Sequence, residues 1–263
     1  MLRIERHEGI GTITIDRPAV LNALSWDLMH RLRVAIQELG ADPGVGAVVI
    51  TGAGRGFCAG ADIADLVGPD LDDVALARVT ADRMEDVVTP LCEAITTSPV
   101  PIVAAVNGPC AGGGLGLALL ADVTIAARSA SFSIPHVTQL GIVPDLGISW
   151  ALSRSIGRAR ALGMSLLGER VSAEQAQEWG LIWQCVDDNQ LTAQVRAVAA
   201  RLASLDPAAA VATRALHDGS SAATLPEQLH RERRAVRALF SGEHVRATAQ
   251  RFLKRAQPVG GNS

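Results

Sequence analysis

The 263-residue sequence predicts an α/β protein with a largely parallel sheet and a helical C-terminal part. Three observations predict it. Short β-branched or continuously apolar runs alternate with segments whose apolar residues recur at helical spacing, the pattern of strands joined by right-handed crossovers. Two glycine-rich loops each follow a strand-like run and lead toward a helical segment. After about residue 150 the strand signal fades and amphipathic helical segments succeed one another.

Taken in order, residues 1–7 are charged and strand-like, and Ile10-Gly-Thr-Ile-Thr-Ile15 alternates before breaking at Asp16-Arg-Pro18, a strand running into a turn. From Ser25 to Leu39 the residues Leu28, Leu32, Ala35, Ile36 and Leu39 fall on one helical face, and the pattern stops before Ala41-Asp-Pro-Gly44. Residues 45–51 form a continuous apolar run, the signature of a strand buried on both faces. Segment 74–96 reads as one helix, 102–106 and 123–127 as further buried strands, and 115–121 as an apolar helix. Ser172-Ala-Glu-Gln175 has the capping-box pattern and opens a helix toward Trp179. Helices then follow over 190–204, 207–217, 226–240 and 243–256, and 258–263 reads as a disordered tail. With 48% hydrophobic residues the chain can bury a large core. The expected division is an α/β core over 1–195 and a helical region over 196–263.

The bulk numbers exclude several function classes. A net charge of −3 argues against a nucleic-acid partner held by phosphate contacts, and 3% aromatics with no Tyr argue against base-stacking platforms. Cys58, Cys92, Cys110 and Cys185 make no close metal-type pair and read as reduced thiols, as in a cytoplasmic protein. The N-terminus does not read as a signal peptide, and no apolar run is long enough to span a bilayer, so no membrane partner is expected.

The chemistry concentrates in the two loops. Thr51-Gly-Ala-Gly-Arg-Gly-Phe-Cys-Ala-Gly-Ala-Asp-Ile63 and Asn107-Gly-Pro-Cys-Ala-Gly-Gly-Gly-Leu-Gly116 offer backbone N–H groups where a ligand can approach closely, the second at a positive helix N-terminus. Such amides hold a developing negative charge without using a side chain. Neither loop is a P-loop, since no Gly-Lys-Ser/Thr follows, and Gly112-Gly-Gly-Leu-Gly116 lacks the dinucleotide spacing. Cys58 and Cys110 inside the loops have nothing nearby to activate them and read as small packing residues. Asp62 reads as a helix cap.

In this order and combination the motifs resemble the crotonase (enoyl-CoA hydratase/isomerase) superfamily. The resemblance runs through Asp16-Arg-Pro…Leu21-Asn-Ala-Leu24, Gly56-Phe-Cys-Ala-Gly-Ala-Asp62, residues 101–114, Gly141-Ile-Val-Pro-Asp145 and Phe252-Leu-Lys-Arg. It implies a core of repeated ββα units, a C-terminal helical region used for trimerisation, and a homotrimer or dimer of trimers. It implies an acyl-CoA thioester as substrate, with coenzyme A part of that substrate and no separate cofactor. The Ala61 and Gly113 N–H groups would bind the thioester oxygen as an enolate develops, each worth on the order of 3–4 kcal/mol in the transition state. Backbone over Ala59, Gly60, Ala61, Asp62 and Ile63, with Val20 and Leu21, would contact the adenine and pantetheine.

The resemblance also locates a departure. Hydratases of this family place water with two glutamates, whose positions fall here at Gly116 and next to Pro135, where this chain has His136 and Val137. Asp145 matches the catalytic aspartate of several isomerases and a dehalogenase. One carboxylate suffices to move a double bond, removing the proton α to the carbonyl and returning it at the far carbon. Asp145 also reads as a helix N-cap, and His136 as a base, a polar lid residue or a loop histidine that shapes the substrate site. Lys254, the only lysine, reads either as a CoA-phosphate contact or as a solvated terminal charge. Enoyl-CoA isomerisation with Asp145 as acid/base is the expected function. The alternatives are a hydratase with an unusual acid/base, an acyl-CoA-binding protein of weak activity, and a thioester hydrolase.

Overall fold

The computed structural model describes residues 1–67, 72–241, 245 and 249. It divides into two compact units, Met1–Ser204 and Leu205–Ser263.

The first unit opens with an antiparallel hairpin, β1 (Leu2–His7) and β2 (Ile10–Ile15), followed by α1 (Trp26–Ala41) and β3 (Ala47–Gly52). A short α2 (Ile63–Leu66), α3 (Asp73–Arg83) and α4 (Thr89–Thr96) lead to β4 (Ile102–Val106), β5 (Cys110–Ala111) and α5 (Gly113–Leu120). Next come β6 (Val123–Ala127), β7 (Ser131–Ser133), α6 (Ile148–Leu167), β8 (Val171–Ser172), α7 (Ala173–Glu178), β9 (Gln184–Val186) and α8 (Leu191–Ala203). Six strands form one sheet in the order β1-β2-β3-β4-β6-β9, parallel throughout except for the first pair. A small second sheet holds β5, β7 and β8. The ββα repeat is visible here: β4 and β6 enter the large sheet, β5 and β7 the small one, and α5 and α6 close the two units.

The sheet is buried on both faces, as the continuous apolar runs require. On one face Ile13, Ile50, Ile102 and Val106 meet Leu32, Ile36 and Leu39 of α1 and Leu91 and Ile95 of α4. On the other, Ile10, Val49, Val103 and Ile125 meet Leu191, Val195 and Ala199 of α8. Each such side chain contributes about 1.5–3 kcal/mol when removed from water. All five residues placed on the α1 core face are buried, and Ser25 caps the helix by accepting from the Leu28 N–H.

Three expectations need correction. Segment 74–96 is not one regular helix: between α3 and α4, residues 84–88 form a π turn in which the Thr89 N–H reaches the Met84 carbonyl. Pro90 explains it, because its ring has no N–H and crowds the carbonyl four residues back, and one extra residue per turn relieves both. The chain beyond residue 150 holds β8 and β9 as well as helices; strands of two and three residues are too short to show a period. The expected boundary at 195/196 falls inside α8, whose apolar face belongs to the sheet of the first unit.

The second unit contains α9 (Pro207–Ser220) and α10 (Leu225–Phe240). Asp206 caps the first, and Thr224 with Glu227 forms a capping box on the second. Gln228 and Arg231 of α10 donate to the Leu216 and Gly219 carbonyls of α9. The helix expected over 243–256, apart from Val245 and Ala249, and the tail over 258–263 lie outside the described residues. Among the described residues no helix is long and apolar enough to cross a membrane.

Candidate active site

The two glycine loops are laced together by backbone. The Ala59 N–H donates to the Leu21 carbonyl (2.9 Å), Leu24 to Gly60 (2.8 Å) and Asp62 to Leu24 (2.9 Å), so the first loop lies along residues 21–24. On its other side Ala111 donates to the Cys58 carbonyl (2.9 Å), and the backbones of Cys58 and Cys110 pair as an isolated parallel β-bridge, both thiols being free. Gly114 permits this approach: a Cβ there would press on the Cys58 carbonyl oxygen and lie 2.7 Å from Cys58 Cβ. Two asparagines, Asn22 buried and Asn107 half-buried, hold the ends. Asn22, at φ +60°, donates to the Ala53 and Gly56 carbonyls at 2.9 and 2.8 Å, and Asn107 accepts from the Gly52 N–H at 3.2 Å.

This lacing sets Gly60, the neighbour of Ala61, against Gly112 and Gly113. Gly60 Cα faces Gly112 and Gly113 so closely that a Cβ at residue 60 would stand 3.3 Å from the Gly113 nitrogen. Among the hydrogen bonds of the described residues, neither the Ala61 nor the Gly113 N–H has an acceptor. Both residues line a cavity of about 300 Å³. Leu24 ahead of α1, Trp26 and Met29 on α1, Met84 and Val88 from the π turn, and Leu140, Ile142, Val143 and Leu146 make most of the remaining wall apolar.

His136 and Asp145 are the titratable side chains in that wall among the described residues. A π turn over His136–Leu140, closed by the Gly141 N–H onto the His136 carbonyl, buries His136, which is 5% exposed as a whole residue. His136 Nε2 lies 3.2 Å from Asp145 Oδ1. Asp145 is not a helix cap. Gly147, at φ +73°, takes the N-cap position of α6, so the Asp145 carboxylate is left to face His136 while its backbone carbonyl accepts from the Ile148 N–H. Cys92 on α4 feels that carboxylate: burial and the Asp145 charge push its thiol up to about 11.

The other expected site residues are placed as follows. Ala59, Gly60 and Ile63 line the cavity with Ala61. Val20 ends a short turn and is exposed, and Leu21 lies outside the cavity wall, tied to Ala59 by its carbonyl. Asp62 stands at the N-cap position of α2 but makes no capping bond; it pairs with Arg17 at 2.8 Å, because that guanidinium is anchored beside it by a bond to the Ala23 carbonyl. Lys254 lies outside the described residues. The apolar wall from α1 and the π turns escaped the sequence reading, since a helical stripe reports burial without saying whether a neighbour or a ligand supplies the cover.

Cys58 and Cys110 are buried and, with burial as the main cause, held far from thiolate: Cys58 is pushed up to about 12 and Cys110 well above its ordinary value. Neither thiol is expected to react with iodoacetamide in the folded protein at pH 8, while denaturant exposes both. Mass spectrometry of native and unfolded samples reads this directly, and native alkylation of Cys58 would contradict it.

Comparison with known proteins identifies the family. The sequence model of the enoyl-CoA hydratase/isomerase family matches residues 5–261. A Rhodobacter capsulatus protein described as a "probable enoyl-CoA hydratase" is 42% identical over 98% of this chain and 96% of its own. The 1,2-epoxyphenylacetyl-CoA isomerase of Escherichia coli is 37% identical over 95% and 94% of the two chains. Among solved structures, an enoyl-CoA hydratase from Bacillus anthracis superposes with a TM-score of 0.87 at 27% identity, covering 98% of each chain. A Mycobacterium abscessus protein named for the same family reaches 0.88 at 35% identity over both full chains. A chain whose two glycine loops meet in this way, and whose sequence is shared end to end with these enzymes, belongs to the enoyl-CoA hydratase/isomerase family.

Proposed function

We propose that this protein is an enoyl-CoA isomerase in which Asp145 carries the proton and the Ala61 and Gly113 amides hold the enolate oxygen. The observation that carries this reading is the composition of the cavity wall: among the described lining residues, Asp145 is the one carboxylate, and it shares an otherwise mostly apolar cavity with two backbone N–H groups that have no acceptor. Asp145 takes the α-proton of a 3-enoyl-CoA, and the C–H electrons pass into the thioester carbonyl to form a dienolate. The two amides stabilise its oxygen, each by about 3–4 kcal/mol. Asp145 then returns the proton at the γ-carbon, the enolate collapses, and the double bond lies between C2 and C3. Water takes no part. The apolar wall favours an uncharged acyl group, and the isomerase name of the Escherichia coli relative is in keeping with the reaction class. The family likeness supports a homotrimer or a dimer of trimers, which sedimentation velocity would measure.

Relatives that include the Rhodobacter capsulatus protein and the Bacillus anthracis enzyme carry the hydratase name, and a hydratase reading has that in its favour. It would require a second acid/base to add water across the double bond, and position 116 supplies none. Product analysis separates the readings. Incubated with 3-enoyl-CoA the protein is expected to form 2-enoyl-CoA, and with 2-enoyl-CoA to form no 3-hydroxyacyl-CoA. Rapid hydration of 2-enoyl-CoA would overturn the isomerase assignment, free CoA would point to hydrolysis, and binding without any product would leave an acyl-CoA-binding protein.

A further inference from the structure

We propose that His136 is a positioning residue for Asp145: its Nε2–H holds carboxylate oxygen Oδ1 and leaves Oδ2 as the oxygen that takes and returns the substrate proton. This rests on the reading of Asp145 as the base. The pair is close, 3.2 Å from Nε2 to Oδ1, and asymmetric in exposure, with the imidazole side chain 7% and the carboxylate 27% accessible. Local backbone explains why the ring cannot turn away. It leaves the chain at a π turn that starts directly after Pro135, and its Cε1 edge packs over Gly112, where a Cβ would sit 3.5 Å from it.

The hydrogen-bond inventory of the ring selects its tautomer. Nδ1 is enclosed and has no hydrogen-bond partner among the described residues. In a neutral imidazole one nitrogen donates and the other accepts. Placing the hydrogen on Nδ1 would bury an N–H with nothing to receive it and turn the Nε2 lone pair toward an acceptor oxygen. Placing it on Nε2 satisfies the donor on Asp145 and leaves only a lone pair unmatched, the less costly orphan. The ring is thus held as the Nε2–H tautomer. It has no free site facing the carboxylate on which to accept the substrate proton, which stays on Asp145 through the reaction. Cys92 lies within electrostatic reach of that carboxylate, and its thiol is held neutral chiefly by burial, so it adds no competing charge.

Three variants and one spectrum test this. Removing a hydrogen bond to a charged group in His136→Leu is expected to lower kcat by about 10- to 100-fold while KM changes by less than about twofold. His136→Gln, which keeps an N–H donor at similar reach, is expected to restore kcat to within about threefold of wild type. Asp145→Asn is the control, with turnover lost. In wild-type protein labelled with 15N-histidine, the resonances that disappear in His136→Gln should report a neutral ring protonated at Nε2. An Nδ1–H tautomer, an unchanged kcat in His136→Leu, or a His136→Gln enzyme as slow as His136→Leu would each overturn the positioning role. If Asp145→Asn keeps wild-type turnover, the base itself is wrongly assigned and the positioning role falls with it. Should His136→Leu fail to fold, the spectrum of the wild type decides on its own.

Discussion

Replacing Asp145 by Asn is expected to lower isomerase turnover by about a thousandfold and to leave acyl-CoA binding and thermal stability close to wild type, since acid/base groups supply rate enhancements of that order. The substitution changes almost nothing else. Asn has the same shape, its side-chain oxygen still accepts from His136 Nε2, and Gly147 rather than residue 145 caps α6, so no helix end is lost. What disappears is an oxygen able to take a proton from carbon. Stopped-flow absorbance of the conjugated thioester measures turnover, and calorimetric titration with a saturated acyl-CoA measures binding. A variant with undiminished turnover would remove Asp145 from the reaction and leave the cavity without a carboxylate.

Gly116→Glu is expected not to create a hydratase. The substitution supplies in sequence the acid that the family resemblance places at this position, yet the space is already filled. A Cβ on residue 116 would meet the Leu146 carbonyl oxygen and stand 2.8 Å from Leu146 Cβ, so the chain carrying Asp145 lies directly on this glycine. Both Gly116→Ala and Gly116→Glu should therefore destabilise the fold by about 1–3 kcal/mol, as overpacked cores do. This is opposite in sign to the gain of about 1 kcal/mol that Gly→Ala brings in an unobstructed helix. Displacing Leu146 also displaces Asp145, so isomerisation falls in both variants and hydration stays undetected. Urea denaturation and product analysis read the two effects. A stable Gly116→Glu enzyme that hydrates 2-enoyl-CoA would show that the Leu146 segment moves aside freely.

Glycine at 116 thus has two consequences that the sequence shows only singly. Read along the chain, it is a missing acid. In the folded molecule it is also the vacancy that admits the Leu146 backbone and so brings Asp145 to the cavity. The alternative reading of Asp145 as a cap was reasonable from local pattern, because an Asp ahead of a helical segment is a common cap. It was resolved by a left-handed Gly147, a conformation that no residue pattern around it states.

Strands and helices of the core were legible because their signals are local. Alternation in residues 10–15, continuous apolarity in 102–106 and 123–127, and the helical stripe from Leu28 to Leu39 each arise from the repeat of the element that buries them. The π turns at 84–88 and 136–140 were not legible, since one extra residue per turn leaves no period to read. Nor was the pairing of Asp62 with Arg17, 45 residues apart, which converts an expected cap into an ion pair.

By itself, then, the sequence determined the alternating core, the two glycine loops, the family, and the lack of a carboxylate at position 116. Those are properties of spacing and residue type, written within a few turns of chain. Tertiary structure alone decided that the two loops lie backbone to backbone, that His136 meets Asp145, and that an apolar wall from α1 and two π turns faces them. Each of these depends on contacts between distant segments, where the close approach permitted by Gly60, Gly112, Gly114 and Gly116 takes the place of side chains.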